Sequence, residues 1–216
     1  MDQLNGGAIP WVDNQQAFVY HRKVVPIDTE HCRQLTLNAP IATANEQRYG
    51  GGSVKLVKAW TNSMMSNIGI ENLLVKREYE HDTGTNHATG LVYAELLRDS
   101  RIRNVTLLHL SKFAVQFSKD VMHISVIDVK YLDPKGPGAA QSWGYRFVFE
   151  NRGQLNLFLR CESQNARYAS VPYQYYSHGP NAFVNCIATG TLLYSVRILP
   201  RYSSDVDCVN SSGEMG

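Results

Sequence analysis

Apolar residues in this chain come in short runs rich in β-branched and aromatic side chains, and no run is spaced or capped as an amphipathic helix of helix-bundle length. That feature narrows the fold more than any other. The runs include IENLLVKREYE (Ile70 to Glu80), GLVYAELL (Gly90 to Leu97), RNVTLLHL (Arg103 to Leu110), KFAVQF (Lys112 to Phe117) and VMHISVIDVKYL (Val121 to Leu132). The last third adds RYASVPYQYY, NAFVNCIAT and LLYSVRILPRY. AFVYHRKVVPI (Ala17 to Ile27) and the stretch after Gly50, Gly51 and Gly52 read as further strands. GYRFVFE and QLNLFLRCE flank Asn151, Arg152 and Gly153, which predicts a hairpin closed by NRG. Helix-forming residues gather in AELLRDSRIR and SKFAVQFSKDV, enough for a turn or two, and weakly near Thr43 to Arg48.

A βαβ fold needs crossover helices, and the spacing leaves no room for them. No internal repeat or low-complexity tract is visible, which argues against a propeller or a solenoid. The expectation is therefore all-β: two antiparallel sheets packed face to face as an eight-stranded jelly-roll sandwich, with an extended N-terminal segment and few short helices. The predicted division is an arm over residues 1–45, a jelly-roll domain over 46–203 and a polar tail over 204–216 leaving the domain.

The chain has 216 residues, 44% of them hydrophobic and 19% charged, which suffices for one core. No apolar stretch is long enough to span a bilayer, and MDQLNGGAIPW reads as neither basic leader nor apolar signal segment. Lys and Arg number 21 against 19 Asp and Glu, a net charge of +2, and the basic residues are scattered. Such a chain is not a free-standing binder of duplex nucleic acid.

Motifs for chemistry are weak. Cys32, Cys161, Cys186 and Cys208 lack CxxC spacing and read as buried thiols. His81, Asp82 and His87 flank a DTGTN turn that a metal ion would fit less well than solvent. The pairs His31–Cys32 and Cys161–Glu162 are adjacent in sequence, so on a strand their side chains point to opposite faces. DTG at Asp82 to Gly84 lacks the hydrophobic lead-in of an aspartic protease, and GGG lacks the Lys-Ser/Thr of a phosphate loop. The expectation is a protein with no catalytic residue, cofactor or metal. Tyr173, Tyr175 and Tyr176, between Pro172 and Pro180, suit an interface or the end of a sandwich.

That segment, ASVPYQYYSHGP (Ala169 to Pro180), resembles the PY-type motif of picorna-like viral coat proteins. Residues 181–198 resemble their last two barrel strands, and RYSSDVDC (Arg201 to Cys208) their terminal segment. RYGGGSVKLVKAW resembles their "WRGSIKY" strand at Gly52, Ser53, Val54 and Lys55, with Gly51 and Gly50 in place of its Arg and Trp. IGIENLLVKREYE is similar to the strand that follows. The resemblance, about a third of the chain in matching order, is to the small coat proteins of the plant comovirus, nepovirus and cheravirus group (Secoviridae). It implies a structural capsid subunit of an icosahedral positive-strand RNA virus, located in the virion and in host cytoplasm during assembly. Its partners would be further copies of itself, other coat proteins and, weakly, packaged single-stranded RNA, with no membrane contact. Pro172 and Tyr173 would fix where a strand begins, Tyr175 and Tyr176 would serve as interface rings, and Gly52 and Ser53 would allow a close turn. A viral movement protein, or another sandwich module binding RNA or carbohydrate, is the alternative.

Overall fold

A computed structural model describes residues 20–25, 35–41, 47, 52–55, 63–78, 88–118, 120–136, 147–166, 168–172, 179–191, 194–196, 206–209 and 212–215. The chain divides into two units, Met1–Lys55 and Leu56–Gly216. In the first, β1 (Val24–Val25) pairs antiparallel with β2 (Thr36–Leu37). The Arg22 guanidinium ties this hairpin by donating to the carbonyls of Ala39 and Pro40, and lies 5.2 Å from the Tyr20 ring.

The second unit is built from two parallel sheets. The strands run β3 (Met65–Ser66), β4 (Gly69–Lys76), β5 (Gly90–Ala94), β6 (Leu97–Leu108), β7 (Phe113–Phe117), β8 (Val121–Leu132) and β9 (Phe147–Asn151). They continue as β10 (Leu157–Leu159), β11 (Glu162–Gln164), β12 (Tyr168–Pro172), β13 (Asn181–Val184), β14 (Ile187–Thr191), β15 (Tyr194–Val196), β16 (Val206–Val209) and β17 (Ser212–Met215). The larger sheet stacks β3 and β4 on β6, β6 on β8, β8 on β10 and β11, then β13 and β14, then β16 and β17. The smaller runs β5-β7-β9-β12-β15. Each passage through the larger sheet is followed by one through the smaller, so the chain winds as a parallel β-solenoid. The described residues are thus mostly β with almost no helix, as expected, but every described ladder of this unit is parallel, which argues against the antiparallel jelly roll. A crossover need not be a helix: here the second sheet carries the chain back.

A periodic backbone conformation shapes each turn. Left-handed φ values recur at every fifth residue: Asn67 and Asn72; Asp99, Asn104 and His109; His123, Asp128 and Asp133; Leu155, Arg160 and Asn165; Asn185 and Gly190. Asn, Asp, His and Gly tolerate that region best. Each such residue bends the strand and resets its alternation, so inward positions fall two and then three residues apart. In β6 these are Ser100, Ile102, Val105 and Leu107, with Leu110 just beyond; in β8 they are Ile124, Val126, Val129 and Tyr131. The next turns place Asn156, Phe158, Cys161 and Ser163, then Asn181, Phe183, Cys186 and Ala188, in the same columns, all buried.

The core lies between the sheets. Phe158 stacks on Phe183 with centroids 4.5 Å apart, and meets Phe117 at 6.0 Å and Phe149 at 6.1 Å from the facing sheet. A polar column runs beside it. The Ile68 N–H donates to Ser100 Oγ, Ile124 N–H to Asn156 Oδ1 and Asn156 N–H to Asn181 Oδ1, so a side chain of each later turn satisfies the backbone of its neighbour.

Several local expectations change with this topology. AELLRDSRIR is strand, the end of β5 and the start of β6. Asn151–Gly153 closes no hairpin: β9 lies in the smaller sheet and β10 in the larger, and a Cβ on Gly153 would overlap the Val121 carbonyl oxygen of the preceding turn. Residues 52–55 form no strand. The polar tail does not leave the domain, because β16 and β17 pair with β13 and β14.

Candidate interaction face

The outward columns of the larger sheet form a continuous face over β4, β6, β8, β10 and β13. The two columns that start at Gly69 and Glu71 and continue through Arg101 and Arg103 face outward, and their chemistry changes along the solenoid. On the first turns they are charged. The Glu71 carboxylate bridges Arg101 and Arg103, its second oxygen 3.0 Å from Arg103, and the Arg101 hydrogen bond holds it below its ordinary pKa. On the later turns the same two columns carry Ile127, Leu157, Leu159, Ala182 and Val184, all half-buried. Ser125 interrupts this aliphatic stripe.

The bend residues form ladders of their own. Asn104 Nδ2 donates to Asn72 Oδ1 at 2.8 Å, and Arg160 holds Asp128 through two bonds of 2.6 and 2.7 Å. That bidentate contact keeps the Asp128 carboxyl below the usual carboxylate range and raises the Arg160 guanidinium. Two further pairs stitch β6 to β8 reciprocally. Asp99 lies 3.1 Å from His123 Nδ1 at one end, and His109 Nε2 lies 3.1 Å from Asp133 at the other. His109 Nδ1 faces the Arg77 carbonyl at 2.9 Å, so this ring links three turns. Most described charges on this face therefore have a protein partner, and the face is nearly neutral.

A shallow groove of about 390 Å³ opens beside the first bend, lined by Asn67, Ile68, Asp99, Arg101, His123 and Ser125 among others. Inside the coil, Cys161 and Cys186 occupy one column in adjacent turns as buried thiols, and burial pushes the Cys161 thiol well up. Their Sγ atoms lie 3.5 Å from the Val126 carbonyl and 3.6 Å from that of Phe158. These two match the sequence expectation; Cys32 lies outside the described residues. Cys161 points inward and Glu162, facing Lys130 at 3.7 Å, outward, so the two do not meet. Among the described residues, no three His, Cys, Asp or Glu side chains gather as a metal site.

Gly52 and Ser53 are exposed, in the first unit and outside any strand. Pro172 is the last residue of β12. Tyr173, Tyr175 and Tyr176 lie outside the described residues, as do His31, His81, Asp82, His87 and His178. What sequence reasoning missed was the outward face itself. Its signal was present on most turns as Asn, Asp, His or Gly at five-residue spacing, while Leu155 and Arg160 take the same bends without it.

No family model, curated protein or solved structure matches the chain.

Proposed function

We propose that this chain is a structural or binding subunit that acts through its surface. The observation that carries this is the outward face of the larger sheet, where a neutral ladder of ion pairs gives way to the aliphatic stripe of Ile127, Leu157, Leu159, Ala182 and Val184. A contiguous apolar patch on a solvent face, rimmed by polar groups, is the usual mark of macromolecular contact. Parallel turns also repeat their side chains at about 4.8 Å, a flat and regular template for an extended partner.

The order of motifs resembling coat proteins supports assembly with further copies, around RNA, as the form this takes. That form rests on the motifs alone, since the parallel coil is not the jelly roll they imply. Binding of carbohydrate or RNA by a single chain is the second reading, favoured by the polar groove beside His123. Negative-stain microscopy and mass photometry of the purified chain, with and without single-stranded RNA, test the first. Closed particles containing many copies are expected. Discrete chains that bind RNA or a glycan array would replace shell assembly with the second reading. Discrete chains that bind neither, and that show no loss of interaction when Leu159→Glu is introduced, would sink both.

A further inference from the structure

The first turn of the solenoid has the inward pattern of the others but lacks their burial. Ile68 is 43% exposed and Leu73 46%, whereas Val105, one turn further in at the Leu73 position, is 0% exposed. Ile70, Val75, Leu91 and Val92 pack against the core yet remain partly open. The outer edges of β4 and β5 pair with no described strand. An uncovered terminal turn with a free strand edge is the weak point of any solenoid, and a second β-strand is what such an edge accepts.

We propose that a second copy of this chain covers this end, with β4 pairing antiparallel to β4 of its partner about a two-fold axis at Leu74. The choice of occupant and register follows from the strand itself. Antiparallel pairing must set inward residues opposite inward ones. Within the strand, centring on Leu74 does so, placing Leu73 opposite Val75 of the other copy, while Ile70 meets Glu78 just past the strand end. It also sets Leu74, the most exposed large apolar side chain of the strand at 67%, against its own equivalent. At the flanks it brings Glu71, which also contacts Arg101 and Arg103, opposite Arg77 just past the strand, and Asn72 opposite Lys76, so each flank sets one carboxylate against one guanidinium. Centring one residue later leaves Leu74 opposite Lys76, and one residue earlier sets the outward Glu71 against the inward Val75. An isologous contact of this kind closes on itself as a dimer and hides both open ends at once.

This dimer deepens the surface-contact function proposed above by naming one contact and its partner, and it fails separately from that function. Sedimentation of the full chain over a wide concentration range should show a monomer–dimer equilibrium. Leu74→Lys, which sets two like charges face to face, should weaken it by about a hundredfold without changing the circular dichroism spectrum. Arg77→Glu should weaken it by about tenfold. Under mild oxidation Leu74→Cys should cross-link to a covalent dimer, while Thr106→Cys, in the same column one turn inward, should not. A wild-type chain that stays monomeric, or a dimer indifferent to Leu74→Lys, overturns the proposal. So does a monomer whose Leu74→Cys thiol resists alkylation, because the edge is then covered from within the chain. A monomer that still binds RNA or glycan removes the dimer and leaves the surface function; a dimer that neither assembles nor binds does the reverse.

Discussion

The first two turns of the solenoid make an instructive pair. Ile68, Ile70, Leu73 and Val75 stand in register with Ser100, Ile102, Val105 and Leu107, and both sets point toward the same interior. The second set is buried and half of the first is exposed. Side-chain type does not explain this, since the first turn is the more apolar of the two. The second turn has a neighbour on each side, and the first has a described neighbour on one. In a solenoid, burial is conferred by the adjacent turn, so equal sequences at an end and in the middle differ in what they contribute.

The comparison is tested most severely by unequal costs for similar truncations. Phe158→Ala, inside the stack of Phe117, Phe149 and Phe183, should cost about 3–5 kcal/mol, while Leu73→Ala at the open end should cost under about 1.5 kcal/mol. Urea unfolding under conditions that keep the chain monomeric measures both, and equal losses would show that the first turn is as well covered as the rest.

A smaller effect separates the polar columns. Asn156→Ala removes the acceptor for Ile124 N–H and a donor to Asn151 Oδ1, all buried, and should cost about 2–3 kcal/mol. Ser100→Ala, which orphans the part-buried Ile68 N–H at the open end and removes a donor to the Arg98 carbonyl, should cost about 1 kcal/mol or less.

The smallest effect concerns acid. Glu71 in the first turn and Asp128 in the third both have folded pKa values below their unfolded ones, lowered by Arg101 and Arg160 respectively. A depressed carboxyl pKa contributes stability that is full above about pH 4 and is lost as pH falls through the folded value. Melting temperature should therefore decline below about pH 4. Asp128→Asn should flatten that decline and lower the neutral-pH stability by about 1 kcal/mol or less, since the pair is largely exposed. An unchanged acid profile in Asp128→Asn would mean that the ladder does not contribute.

Much of the secondary structure was legible. Val121–Leu132 is a strand over the range its sequence predicts, and Phe113–Phe117 and Gly90–Ala94 fall inside predicted runs. β-branched and aromatic residues in short runs specify extended backbone locally, whatever they pair with. The repeat was harder to see because turns differ in length. Neighbouring positions in adjacent turns are 32 residues apart at Ile68 and Ser100, 24 at Asp99 and His123, 32 at Ile124 and Asn156, and 25 at Asn156 and Asn181. Loops of unequal length erase a fixed period while leaving the columns intact. The outward face was hidden for the same reason, since Asp128 and Arg160 become partners only once two turns are stacked.

By itself the sequence determined that the chain is mostly β, that its short runs are strands and that Cys161 lies buried. Those follow from local sterics and from side-chain polarity. Only the tertiary structure decided that the strands pair in parallel and that the predicted hairpin at Asn151–Gly153 is a passage between sheets. It also decided which end of the core stays open. Strand pairing depends on which backbone edges meet, and in a coil that is set by the geometry of the return path, which no single run encodes.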